Sequence, residues 1–516
     1  MNIGFDALTN VWDRETIISY VEQRLKKNQF FYIALGDVDF FLNIDSKVGS
    51  CEGDKILQRI ASFFKESGIN HFGRYGGDEF LIFLETDEVQ QAVQTMEEIR
   101  RLFRKQRFID KDSIYGKVPM TMSFGLAYCN NIDCINTLLK KAEIALAMAK
   151  KRGRNQVAVA ADEEINILSN HTAGVSTIVG EKLRGYSGDL EPACKARILE
   201  PYGVDLTPEN EVVFADRGNH RIRKICNDGR IVTIAGNGTY GYSGDGREAT
   251  AASLNKPSGV AVDKQGCIYI ADTGNHCIRK VDRDNIITTI AGCGIDGYDG
   301  DGAMAVSAKL SRPGGVVVDL HGNVYTNDYG NNVIRMISNT GYISTIAGTG
   351  EFGYLGDGGS PLDAAFDRPY GLAVVPDGSI IYVADYGNHC IREINMKEHV
   401  IKTISGTGQP GYAGDGNAAN KAMLDGPFWV TALQGKYLLI ADANNHCIRM
   451  INLETSMIET LVGNGKPGYF DVMNSIERSR YNIPAGMVMD TINKVLYIAD
   501  YGNNAIRKVN MSQYKV

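Results

Sequence analysis

No run of about eighteen apolar residues, the length a spanning helix needs, occurs anywhere in the 516-residue chain. Its opening, Met1-Asn-Ile-Gly-Phe-Asp6, carries neither a basic cluster nor an apolar core of signal length. The first absence excludes a helical membrane anchor within this sequence, and the second predicts a cytoplasmic protein. Cys-x-x-Cys is also missing: ten cysteines stand singly, at 51, 129, 134, 194, 226, 267, 277, 293, 390 and 447. They read as reduced, small packing residues. A dominant charge of one sign is lacking too, with 54 basic against 61 acidic residues, and 44% apolar with 22% charged composition excludes fibrous and disordered chains. The length predicts roughly two to four domains.

What is present begins at Arg74-Tyr-Gly-Gly-Asp-Glu-Phe-Leu-Ile-Phe-Leu84. Adjacent glycines permit a tight turn with positive φ, so Ile69 to Tyr75 and Glu79 to Leu84 read as two strands with Gly76 and Gly77 at the hairpin tip. That tip presents Asp78 and Glu79, neighbouring acids whose repulsion a cation would relieve. Upstream, the apolar strand Phe30 to Leu35 ends in Gly36-Asp37-Val38-Asp39, and packing it beside the hairpin would bring Asp37 against Asp78. Oxygen ligands from two segments, with room for waters and phosphates, suit magnesium at a nucleotide-processing site. The plainer reading is a surface hairpin with solvated acids.

These residues resemble the GGDEF family of diguanylate cyclases, over essentially residues 1–160. Asp6-Ala-Leu8-Thr9 with Arg14 is similar to the opening signature, Asp37-Val-Asp39-Phe-Phe41 to the metal strand, and Gly49 with Gly53-Asp54 to the nucleotide-binding turn. Thr121-Met-Ser123-Phe-Gly125 resembles the late strand, and Ala142 through Lys150, Gly153-Arg154-Asn155, the closing helix and its exit. The resemblance implies a palm-like α+β sandwich with a ferredoxin-like core that condenses two GTP molecules into cyclic di-GMP and releases pyrophosphate. It implies Mg or Mn held by Asp37, the Val38 carbonyl and Asp78, with Glu79 as second metal ligand or proton acceptor. It further implies Gly76, Gly77, Asp45 and Asp54 at the nucleotide, and Lys150 and Arg154 on the triphosphate, four residues apart on one helix face. Each active site of the family is a half-site, so catalysis implies a homodimer.

Three departures stand out. Leu42 takes the place of a family Lys, and Asp45 that of a base-reading Asn. An amide offers donor and acceptor together whereas a carboxylate only accepts, so Asp45 with Asp54 would face the base with acceptors alone. GTP, ATP or a mixed pair are therefore the nucleotides to consider, beside a degenerate domain that only binds. Where the family's inhibitory Arg-x-x-Asp falls, this chain reads Ser67-Gly-Ile-Asn70, which predicts weak product inhibition.

In this first domain, helical spacing predicts helices over Asp13 to Lys27, Asp54 to Phe64, Glu88 to Phe103 and Ile135 to Lys151, then a strand over Gln156 to Ala160. Residues 161–173 read as a linker and 174–516 as a second domain. Because the cyclase-like segment starts near Met1, control is expected from downstream. There, Asp216, Asp272, Asp328, Asp385, Asp442 and Asp500 recur at steps of 56 to 58 residues, each followed by Asn and Ile-Arg, as in Gly274-Asn-His276-Cys-Ile-Arg279. Between copies come Thr-Ile-Ala-Gly, a Gly-Tyr-x-Gly-Asp-Gly loop and a Pro before the next alternating strand. Four short strands per unit with Gly-rich turns is blade arithmetic, and Asn-His-x-Ile-Arg resembles the NHL-repeat β-propeller family. The sixth copy stops one strand short, and residues 176–180, Ser-Thr-Ile-Val-Gly, supply that strand from the front, predicting six blades closed by the chain's own ends.

A residue found in every blade holds the blade together. The repeated Asp and Arg are thus expected as turn and inter-strand partners, and His220, His276, His389 and His446 as structural, since equivalent atoms of adjacent blades cannot converge on one metal at bond lengths of about 2 Å. One acid per Gly-Tyr-x-Gly-Asp-Gly loop is too few for calcium. Partner binding should lie where the copies differ. Residues 1–160 hold 22 basic and 21 acidic residues, leaving 32 basic and 40 acidic downstream. That balance argues against nucleic acid and for a protein or small-molecule partner on the propeller.

Overall fold

The computed structural model describes residues 4–27, 29–41, 50–109, 120–129, 135–151, 153–160, 174–180, 184–433, 435–469, 476–512 and 514. Contacts divide the chain into two compact units, Met1–Asn170 and His171–Val516. Among the described residues, no helix is long and apolar enough to cross a membrane.

The first unit is a five-stranded sheet in the order β2-β3-β1-β4-β5, with β1 Phe31–Val38, β2 Phe72–Gly76, β3 Glu79–Leu84, β4 Met122–Cys129 and β5 Val157–Val159. Strand β1 runs antiparallel to β3 and β4, and β5 lies parallel to β4. Alternate side chains of β1 point to opposite faces, and both faces are apolar, which is why the strand reads as a continuous hydrophobic run. Phe31, Ile33 and Leu35 pack with Ile17 and Val21 of α1 (Arg14–Lys26) and with Leu138 and Leu146 of α4 (Ile135–Lys151). Tyr32 and Ala34 pack with Ile56 and Phe64 of α2 (Ser50–Glu66) and with Met96 and Phe103 of α3 (Val89–Lys105). Asp13 caps α1 by accepting from the Thr16 amide. At Gly125 a Cβ would stand 2.1 Å from both the Ala142 carbonyl oxygen and the Leu146 nitrogen, so this glycine lets α4 lie directly on β4.

Three expected boundaries move. The strand before the hairpin spans Phe72–Gly76, not Ile69 to Tyr75, and Gly76 pairs with Glu79, so the turn is Gly77-Asp78 and not Gly76-Gly77. Gly77 takes the left-handed φ of +49° that such a turn requires. Helix α2 begins at Ser50, which places Gly53 and Asp54 within a helix and not in a turn.

The second unit is a ring of six antiparallel blades. Their innermost strands, Pro201–Leu206, Val260–Val262, Pro313–Val318, Pro369–Val374, Pro427–Leu433 and Pro484–Asp490, each touch the next around the ring. The last blade is completed by β6 (Gly174–Val179), whose Val175, Ser176 and Thr177 pair with Val509, Lys508 and Arg507 of the strand Ala505–Asn510. Joining the unit's first and last strands in one sheet locks the ring, while each blade keeps only one short outer edge.

The repeated residues are the fasteners of this ring. Arg223, Arg279, Arg335, Arg392, Arg449 and Arg507 are all 0% exposed, and each faces the Asp of its own repeat, from 2.8 Å at Asp500 to 3.6 Å at Asp216. The first five also bind the loop acids Asp189, Asp245, Asp301, Asp357 and Asp415 at 2.6 to 2.9 Å, so those acids serve the guanidinium. The repeated histidine is a blade-to-blade clasp. In left-handed conformation, His220, His276, His389 and His446 accept through Nδ1 from the amides of Lys256, Arg312, Gly426 and Ile483 on the following blade. Asn332 and Asn504 do the same through Oδ1 to Arg368 and Glu200, which explains why His and Asn alternate at this position: both set an acceptor at the same reach.

Candidate active site

The site forms where β1 ends beside the β2-β3 turn. In the sheet register Asp37 stands opposite Glu79 on one side and Ser123 on the other. Asp78 follows in the turn, so Asp37, Asp78 and Glu79 come from two segments onto one sheet end as expected, with Glu79 and not Asp78 as the direct register partner. Val38 buries its side chain in the core and can offer only its carbonyl. Nothing lies within 4 Å of a Cβ built at Gly76 or Gly77, so the turn beside the acids is open ground for a ligand.

Electrostatics mark these acids as a set. Burial pushes Asp78 up to about 6 and Glu79 up to about 7, with the Asp37 carboxylate as the next cause in both, and Asp37 is itself raised by burial. Lys150 Nζ, from the last turn of α4, meets Asp37 Oδ2 at 2.7 Å and offsets part of that repulsion. Arg154 follows α4 at a left-handed φ of +64°, its guanidinium 4.4 Å over the Phe40 ring and acting on Asp37. Among the described residues, no three His, Cys, Asp or Glu side chains are gathered closely enough to cage an ion unaided. The donor set instead fits a hard divalent cation that keeps open positions for water and phosphate oxygens.

Of the two acids expected at the base, one can be placed. Asp54 is exposed within α2, and Asp45 lies outside the described residues, as do Leu42 and the linker 161–173. Three further residues, not assigned individual roles from sequence, support the site. Asp39, 3% exposed, accepts from Thr121 Oγ1 (2.7 Å), Ser123 Oγ (2.7 Å) and the Asn155 amide (3.0 Å), while Arg100 Nη1 holds the Asn155 side chain at 2.9 Å. It thereby fixes the exit of α4, and with it Lys150 and Arg154, against the end of β1. Arg74 donates to the Gly77 carbonyl (2.9 Å) and to Asp6 (3.2 Å), tying the turn to the opening Asp-x-Leu-Thr segment. Arg14 lies 4.3 Å over the Tyr75 ring and bonds its hydroxyl at 3.3 Å. Their signal in sequence was the family motif alone.

Residues 3–156 match the family described as diguanylate cyclase, GGDEF domain. Residues 366–394 match the NHL repeat and 238–298 the Teneurin NHL domain. The chain is similar to NHL repeat-containing protein 2 of Gallus gallus, 30% identical over 366 residues, covering 64% of this chain and 49% of that protein. It is also similar to diguanylate cyclase DosC of Escherichia coli K12, 29% identical over 161 residues, covering 30% of this chain and 35% of that one. The chain thus spans about half the length of the NHL relative and about a third of the cyclase relative. A solved structural-genomics protein of unknown function from Bacteroides thetaiotaomicron covers 65% of this chain, and this chain 75% of it, at a TM-score of 0.50 and 18% identity, a likeness of fold alone.

Proposed function

We propose, from the premise that the chain joins a GGDEF domain at residues 3–156 to an NHL-repeat propeller, that it is a cytoplasmic, magnesium- or manganese-dependent cyclase condensing two GTP into cyclic di-GMP. The observation that carries the reading is the convergence of Asp37, Asp78 and Glu79 at one sheet end with Lys150 and Arg154 beside them. Asp37, the Val38 carbonyl, Asp78 and Glu79 would hold the metal. When bound, it supplies the positive charge that acidifies a 3′-hydroxyl and neutralises a transferring phosphoryl group. Lys150, already paired with Asp37, stands where a triphosphate oxygen can compete for the same ammonium, and Arg154 adds a fork-shaped donor. Glu79 would take the hydroxyl proton or ligate a second ion. Each domain holds one nucleotide, so two chains must meet face to face, and a ligand or protein on the propeller shifts the population of that active dimer.

Leu42 and Asp45 favour a second reading, in which base selectivity has moved to another purine pair or turnover is lost. Competition among GTP, ATP and mixtures, with the product mass measured, separates the two. A cyclic di-GMP mass supports the first, and no turnover with any pair sinks both enzymatic versions.

A further inference from the structure

Each innermost propeller strand is entered through a residue that precedes its proline, and in blade order these are Glu200, Lys256, Arg312, Arg368, Gly426 and Ile483. All six have φ between +49° and +56°, the left-handed region where glycine is at ease and a long side chain is not. Only blade five uses glycine. The other five carry a side chain at this φ, and three consecutive blades place Lys256, Arg312 and Arg368 there, although the clasp from the preceding blade takes only their amides. Arg368 is committed to Asp367 at 2.9 Å. The side chains of Lys256 and Arg312 are exposed and have no ion pair among the described residues; Asp296, 3.5 Å from the His276 ring at the Arg312 junction, forms none with Arg312.

The residue after each entry proline also differs between blades: it is Ser258 and Gly314 behind Lys256 and Arg312, and aromatic in blades one, four and five, as Tyr202, Tyr370 and Phe428. Tyr370 packs against Tyr329 and Phe428 at 4.8 Å each and Tyr386 at 6.3 Å, and reaches Tyr202 of the first blade at 5.5 Å, so the rings meet across the propeller axis. Arg368 lies over Tyr386 at 5.4 Å, and Lys256 and Arg312 hold the equivalent entry positions of blades two and three, so the three cations rim the face that bears the plate. Tyr329, Tyr370, Tyr386 and Phe428 remain partly exposed there.

We propose that this axial face binds a nucleotide, its planar base laid on the tyrosine plate beside Tyr329 and Tyr386 and its phosphate met by Lys256 and Arg312. Ring faces stack on any base, tyrosine hydroxyls can bond its edges, and two uncommitted cations match one or two phosphate charges. A long polyanion fits less well, because residues 161–516 carry 40 acidic against 32 basic groups. The proposal names the ligand class for the regulatory reading given above and rests on that reading for its consequence, though not for binding itself.

The test uses the full chain in chelator, where the cyclase site lacks divalent ions. GMP, cyclic di-GMP and inorganic phosphate are titrated against wild type and the double variant Lys256→Asn, Arg312→Asn, asparagine being suited to a left-handed φ so that the ring stays folded. The expected result is nucleotide binding weakened by at least about tenfold in the variant, with melting unchanged or raised and phosphate alone binding far more weakly. Equal nucleotide affinity in both proteins, phosphate binding as tightly as nucleotide, or preference for an RNA oligomer over GMP overturns it. Separately, a cyclase rate in magnesium that ignores a bound nucleotide removes the regulatory reading and leaves the binding site standing.

Discussion

Asp37, Asp78 and Glu79 hold more proton affinity in the folded domain than in the unfolded chain, because burial and mutual repulsion disfavour their charges. Raised carboxyl pKa values contribute stability that is complete below the unfolded value and is lost as pH climbs through about 6 and 7. The metal-free domain should therefore lose stability from pH 5 to 8, whereas its affinity for magnesium rises over the same window, by up to about tenfold per pH unit for each proton displaced. Melting curves with and without magnesium at pH 5.5, 6.5 and 7.5 check this, and a magnesium shift that shrinks with rising pH contradicts it. Asp37→Ala or Asp78→Ala should abolish cyclic dinucleotide synthesis without unfolding the domain, since each removes charge repulsion and not core packing. Synthesis within about tenfold of wild type would refute the assignment. The acids were legible in sequence because an apolar run ending in carboxylates needs a reason. Asp39 was not legible as the fastener of the α4 exit, because its partners lie 82, 84 and 116 residues away and only folding brings them together.

At the scale of elements, the apolar runs that placed β1 and β3 and the helical spacing that placed the four helices are properties of which faces are buried, and these read directly from side-chain type. The hairpin turn moved by one residue because Gly76 can pair as a strand residue as readily as it can turn, and local sequence does not decide between the two. The blade fasteners permit a sharper test. Removing one partner of a buried ion pair leaves a charge stranded, so Arg335→Met should cost about 3 to 5 kcal/mol. His389→Asn should be nearly neutral, since Asn332 already performs the same clasp one blade earlier. His389→Leu, which leaves the Gly426 amide without its acceptor, should cost about 1 to 3 kcal/mol. Denaturant unfolding of the three variants checks the order, and a His389→Asn loss as large as that of Arg335→Met would show that the imidazole does more than accept one bond.

For the whole molecule, ring closure was legible from the count of strands, since an orphan Thr-Ile-x-Gly strand at the front and a blade one strand short at the back complete each other. Of the acids expected at the base, Asp54 falls inside α2 and Asp45 lies outside the described residues. If the propeller governs the meeting of two cyclase domains, the fragment 1–160 and the full chain should differ in rate at equal concentration, and identical concentration dependence across candidate ligands would make the propeller a passenger. Cyclic di-GMP added to the assay should inhibit weakly, given Ser67-Gly-Ile-Asn70 in place of the inhibitory motif. The central claim is that the sheet end bearing Asp37, Asp78 and Glu79 makes a cyclic dinucleotide. Purified full-length protein incubated with magnesium and labelled GTP, with the product identified by mass, tests it most directly. The account predicts cyclic di-GMP and pyrophosphate from the wild type and neither from Asp78→Ala; GTP left intact by a folded, dimeric wild type, or turnover that survives in Asp78→Ala, would contradict it.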